Sequence, residues 1–145
     1  MIIVLDVNPL LAALIRDSTS RKIIANSTFE FCFPEAALHK IRKYQNYIIK
    51  KSGLSELEYL VILHSLLKLI RIIPTEEIMP FWEEANSIMG SIDPEDVTFV
   101  ATALSQGGSF IWSDDKDFDE QDTLKVLKTK EILGLIEPNG SWFIE

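Results

Sequence analysis

Two short apolar runs, each ending in carboxylates, restrict the fold of this chain more than any other feature. Ile2–Leu5 is followed by Asp6, and Phe110–Trp112 is followed by Ser113, Asp114, Asp115 and Asp117. Neither run alternates apolar with polar residues. Both therefore suit strands covered on two faces, as in a parallel sheet. In open parallel sheets, sites form beyond the carboxyl ends of the strands. If the two runs are parallel neighbours, Asp6 and the Asp114, Asp115, Asp117 group leave the sheet along one edge.

The remaining pattern alternates strands with helices. After Asp6, a helix runs from about 8 to 16, with Asn8 as cap and Pro9 in its first turn. A short helix over 21–26 takes Thr19 or Ser20 as cap, and 29–33 reads as an aromatic strand stopped by Pro34. Ala37, Leu38, Ile41, Tyr44 and Ile48 give one apolar face to a helix over 34–51, ended by Gly53. Ser55 and Glu58 form a capping-box pattern ahead of a helix over 55–69. That helix is apolar almost all round, which predicts burial on more than one side and favours a two-fold contact with a second copy. His64 within it reads as a packed or interface residue.

A strand over 70–74 follows, then a helix ending near Gly90 with Phe81, Trp82, Ala85, Ile88 and Met89 inward. Asp93 caps the next helix, Pro94 takes its first position, and Val97, Val100, Ala101 and Leu104 form its buried stripe with Asp96 at the flank. The fourth strand is 110–112, a fifth spans 123–127, and a last helix over 130–135 precedes a tail, 137–145, whose Trp142, Phe143 and Ile144 need a packing surface. Alternating units of this kind imply a mainly parallel sheet of four to five strands with right-handed crossovers. At 145 residues the chain reads as one domain, residues 1–145, large enough to bury roughly two-thirds of its unfolded surface.

Composition narrows the setting. The lone Cys32 cannot form an internal disulfide and has no metal motif around it, so it reads as core in a reducing compartment. The most apolar region, 54–73, is interrupted by Glu56, Glu58, His64, Lys68 and Arg71, and no basic leader opens the chain. These features predict a cytoplasmic protein without a membrane span. A net charge of −8 argues against a general nucleic-acid coat protein. The charge is unevenly spread: nine acidic side chains and one lysine lie between 93 and 122, whereas 40–51 holds five basic residues and no acid.

Several carboxylates converging on one strand edge raise one another's pKa unless a cation lies between them. Mg²⁺ or Mn²⁺ suits such oxygen ligands, and its charge lets an acidic site accept an anionic backbone. Against this stand simpler roles. Asp93 reads as a helix cap, Glu95 as a partner of the helix dipole, and Asp119, Glu120 and Asp122 as a solvated loop. Asp6, directly behind an apolar strand, requires a cation or a donor. A calcium loop starting at Asp115 fails, because its sixth position would be Glu120 rather than Gly and its twelfth Val126 rather than Glu. A phosphatase of the aspartyl-nucleophile type would want an Asp where Asn8 stands.

With these residues in place, VLDVNPLLAAL, FPEAALHKIRKY and DPEDVTFVATALSQGGSFIWSDDKDF, in that order, resemble a PIN domain, the fold of the toxin nucleases of VapBC-type modules and of related RNA-processing nucleases. The resemblance implies a three-layer α/β/α sandwich, a Mg²⁺- or Mn²⁺-dependent endoribonuclease and a homodimer. It places metal-binding acids at Asp6, Asp96 and Asp115, with Asp117 accessory and Asn8 and Ser113 as polar helpers. It also implies an RNA substrate and, for a toxin, an antitoxin protein that presents an Arg to the aspartates.

One position departs from the family pattern. Where the family carries an inward glutamate, this chain has Lys40. Glu35, five residues earlier, lies about 140° round a helix and cannot replace it, and His39 is about 100° away. The Lys40 ammonium either neutralises the aspartates in place of a metal or binds a phosphate of the RNA. The alternative to an active nuclease is thus a catalytically silent PIN domain that binds RNA or a protein partner.

Overall fold

The computed structural model describes residues 1–16 and 18–136. Five parallel strands, β1 (Ile2–Leu5), β2 (Glu30–Pro34), β3 (Ile70–Ile73), β4 (Phe110–Trp112) and β5 (Val126–Leu127), form one sheet in the order β3-β2-β1-β4-β5. The central β1 buries Ile3, Val4 and Leu5 completely, as its unbroken apolar sequence requires. Cys32 on β2 is buried core. The fifth strand is shorter than the expected 123–127, because Gln121 ties the turn before it by accepting from the Leu124 N–H and donating to the Leu124 carbonyl.

The strand order dictates the layers. The chain steps outward from β1 to β2 to β3, then returns across the sheet to β4 on the other side of β1. Right-handed crossovers therefore lay the helices of the first two connections on one face and those of the third on the opposite face. The first set comprises α1 (Val7–Ile15), α2 (Thr19–Asn26), α3 (Leu38–Lys43), α4 (Gln45–Ser52) and α5 (Glu56–Leu67). The second comprises α6 (Thr75–Ile78), α7 (Trp82–Met89) and α8 (Val97–Ser105), with α8 packed on β1, β2, β4 and α7. The closing helix α9 (Thr129–Ile136) packs against α2 and β5. This is the three-layer α/β/α sandwich. The expected packing of Trp142, Phe143 and Ile144 lies outside the described residues.

Several local expectations are corrected. Asp6, not Asn8, caps α1, its carboxylate accepting from the Val7 N–H, and Ser18, not Thr19 or Ser20, caps α2 by accepting from the Arg21 N–H. The helix expected over 34–51 begins as a tight 3₁₀ turn, Glu35–Ala37, and breaks at Tyr44 (φ −95°, ψ 4°) into α3 and α4 before Gly53 ends it in the left-handed conformation. Ile41 and Ile48 are seven residues apart, nearly two full turns, so both stay in the core across the break and the apolar spacing does not reveal it. The helix expected before Gly90 is likewise divided, by a 3₁₀ turn at Met79–Phe81 containing Pro80. That turn resets the helical phase, and Trp82 is more than one-third exposed rather than inward.

The capping box of Ser55 and Glu58 forms as read, with both reciprocal hydrogen bonds present. On α5 only Tyr59 and Leu66 are buried within the chain, while Leu57, Leu60 and Val61 are exposed, as is His64. No helix is long and apolar enough to cross a membrane among the described residues.

Candidate metal centre

β1 and β4 pair in register up to Leu5 with Trp112, and the Asp6 N–H donates to the Trp112 carbonyl, extending the ladder by one residue. The side chains that follow the two strands are thereby brought together. Asp6 accepts from the Val7 N–H through Oδ1 and from the Ser113 hydroxyl through Oδ2, both at 2.8 Å. Ser113 Oγ, fully buried, accepts in turn from the Asp115 N–H, and Asp115 Oδ1 accepts from the Asp117 N–H. One hydroxyl thus fixes both the carboxylate behind β1 and the turn behind β4. Asp114 faces the other way: it accepts from the N–H and the hydroxyl of Thr129 at the start of α9. Asp119 is exposed, as expected of a solvated loop, and pairs with the half-buried Lys128.

The second source of carboxylates is the turn leading into α8. Asp93 Oδ1 accepts from the Glu95 N–H, the capping role expected of it, and Pro94–Asp96 forms a 3₁₀ turn. That turn carries Asp96 inward, where it is 7% exposed and its Oδ2 is buried without a hydrogen-bond partner. One carboxylate oxygen from each of Asp93, Asp96, Asp115 and Asp117 lies within 4.8 Å of the others. Asp6 stands beside this group. Asp93 is therefore both cap and cluster member, a second role that the sequence reading did not give it. The signal was present in the Asp-Pro-Glu-Asp spacing, since side chains three apart share one side of a 3₁₀ turn.

The electrostatics follow from the crowding. Asp96 has its pKa pushed up to about 8, first by burial and then by the charges of Asp6 and Asp93. Burial also raises Asp6, against the hydrogen bonds from Ser113 and Val7, which favour its ionised form. Asp117 is raised chiefly by the adjacent charge of Asp115. The donor set suits a hard divalent cation: it is all carboxylate oxygen, gathered from two loops, and it leaves one buried oxygen unpartnered, which a cation would satisfy.

The carboxylates open into a cavity of about 580 Å³. Asp6, Asn8, Asp93, Glu95, Asp96 and Asp115 line one side, and His39, Lys40, Lys43, Tyr44 and Tyr47 from α3 and α4 line another. Lys40 reaches the cavity and its charge acts on Asp6, lowering its pKa by a small part of what burial adds. Glu35 points away, accepting from the Thr75 N–H and hydroxyl. His39 lines the cavity despite the angle expected of it, its Nδ1 lying 2.9 Å from the Ala36 carbonyl. The two tyrosines were not singled out as site residues. The apolar face expected of the helix over 34–51 includes Tyr44 but not Tyr47, and both are exposed and line the cavity.

Comparison with known proteins agrees with this architecture. No curated protein sequence matches the chain. Among solved structures, the crystal structure of VapBC2 from Rickettsia felis, bound to a DNA fragment from their promoter, contains a similar chain with a TM-score of 0.64 at 13% identity, covering 88% of this chain and 98% of that one. A family model described as PIN domain matches residues 4–133. That match runs from within β1 through β5 and takes in the whole acidic edge, and the chain belongs to the PIN domain family.

Proposed function

We propose that this protein is a Mg²⁺- or Mn²⁺-dependent endoribonuclease, the toxin of a toxin–antitoxin pair, acting in the cytoplasm as one domain over residues 1–145. The observation that carries the reading is the group of four carboxylates with the buried, unpartnered oxygen of Asp96 among them. Asp96, Asp115 and Asp117, with Asp93, would hold the ion. Asp6 joins them from the β1 side, because each of its oxygens accepts one hydrogen bond and keeps a second lone pair. The chemistry such an ion supplies when bound is activation of water and stabilisation of charge on the leaving oxygen.

The chain's own residues set the stage for that chemistry. Ser113 holds Asp6 and the Asp115 backbone in fixed relation, and Asn8 offers a polar group on the cavity wall. The acidic lining also suits an arginine from an antitoxin, a role consistent with the VapBC2 likeness. The exposed apolar residues Leu57, Leu60 and Val61 on α5 fit a homodimer contact, which light scattering on the purified chain would check.

A second reading, a silent PIN domain that binds RNA or protein, is favoured by Lys40 at the position where the family carries a glutamate. Cleavage of single-stranded and structured RNA with and without Mn²⁺ separates the two. Mn²⁺-dependent cleavage that disappears in Asp96→Asn and Asp115→Asn supports the nuclease. RNA left intact by the wild type under Mn²⁺ selects the silent form.

A further inference from the structure

Two ammonium groups line the cavity, those of Lys40 and Lys43, and neither forms an ion pair among the described residues. Lys40 Nζ lies 5.6 Å from the centroid of the Phe99 ring. Phe99 is 1% exposed and packs edge-on against Phe33, so the ring beneath the ammonium is fixed in the core, while Lys40 itself is half-buried and lines the cavity. Lys43 differs: its ammonium lies over Tyr44, which is exposed. An aromatic face holds a cation by attraction to the ring electrons and leaves the N–H groups on its far side to other acceptors.

The position of Lys40 decides between its two expected roles. An ammonium that neutralised the aspartates would stand within ion-pair distance of one of them. Lys128–Asp119 is the only ion pair among the described residues, so Lys40 makes none with the cluster. Its charge still reaches Asp6. Its N–H donors that point away from the ring have no acceptor among the described residues and can meet an anion entering between the carboxylates and α3.

We propose that Lys40 is a phosphate-binding residue of this cavity, gripping the backbone of the strand beside the carboxylates. This rests on the reading of the cavity as an RNA site. It holds whether the protein cleaves the strand or only binds it, because the contact is to phosphate and not to the reacting atoms.

The test is fluorescence anisotropy of a labelled short single-stranded RNA with the full chain in Ca²⁺, across a potassium chloride titration, with the RNA checked intact on a gel. One lost phosphate contact on a single strand lowers the slope of log affinity against log salt by about 0.7. Lys40→Gln is expected to show that loss, and Lys40→Arg to restore the wild-type slope, with thermal melts confirming that both variants fold. An unchanged slope in Lys40→Gln overturns the assignment, as does a wild type that binds no RNA. A Lys40-dependent slope in a protein that fails to cleave under Mn²⁺ upholds the assignment and rejects the nuclease reading alone.

Discussion

Replacing the ionisable carboxyl of Asp96 is expected to stabilise the metal-free protein. Its carboxyl ordinarily titrates at 3.8 and is pushed up to about 8 in the folded chain, chiefly by burial. For an acid whose folded pKa is raised, ionisation costs the folded state. Below the ordinary value both states are protonated and there is no penalty; the penalty then grows with pH and levels off above about 8. At neutral pH the ceiling is about 4 kcal/mol, from roughly 1.4 kcal/mol for each pH step above 3.8. The measurable part is smaller, since Asp6 and Asp93 share the repulsion and water enters the cavity. Asn keeps the volume and offers an N–H donor toward Asp93, where a protonated Asp96 would offer its O–H.

For Asp96→Asn we expect a gain of about 2 kcal/mol, or about 4–8 °C in melting temperature for a chain of this size. The assay is calorimetric melting in EDTA, at neutral pH and again near pH 4, where the advantage should vanish. In Mn²⁺ the wild type should recover the difference, because its ionised carboxylate gains a partner and the amide does not. A variant that melts at or below the wild type at neutral pH, or whose gain is the same near pH 4, would refute the placement of the electrostatic cost at Asp96.

Two further changes probe the surroundings. Lys40→Glu removes a positive charge and adds a carboxylate beside the acidic group, so Mn²⁺ affinity measured by isothermal titration should rise at least about tenfold, or about 1.4 kcal/mol; equal affinity would mean that Lys40 does not share the field of the cluster. Ser113→Ala removes the hydroxyl between Asp6 and the Asp115 N–H, and urea unfolding should show a loss of about 2 kcal/mol from two unpaired buried groups, with a negligible loss contradicting the role of Ser113 as the tie between β1 and β4.

The parts of the fold that were legible in the sequence are those set by nearest neighbours along the chain. β1 and β4 are continuous apolar runs, Ser55 and Glu58 sit at capping-box spacing, and Asp93-Pro94 opens the turn into α8. What escaped depends on phase. Pro80 restarts the helical count ahead of Trp82, and the break at Tyr44 leaves Ile41 and Ile48 buried while Tyr44 itself is exposed. At the site, Asp6 was expected to need a cation or a donor, and its donors are Val7 and Ser113, the second of them 107 residues away in sequence. Asp93 was read for one oxygen only; the cap uses Oδ1, and the carboxylate as a whole still belongs to the cluster.

The break at Tyr44 also bears on how a chain of net charge −8 can receive an anionic strand. At physiological salt, charges separated by more than about 8 Å in solvent are largely screened, so contact depends on what lines the cavity and little on the total. There the acids come from the strand ends and the turn before α8, while the cations and exposed rings come from α3 and α4. A straight helix over 34–51 would carry the side chains beyond Tyr44 along one axis. In the two-piece arrangement Lys40 lies over Phe99 ahead of the break, and Tyr44 and Tyr47 line the cavity with exposed rings, on which unpaired bases of the proposed RNA would stack in contacts that salt does not screen. The affinity left at high salt should therefore reside in the tyrosines, and the salt-dependent part in Lys40.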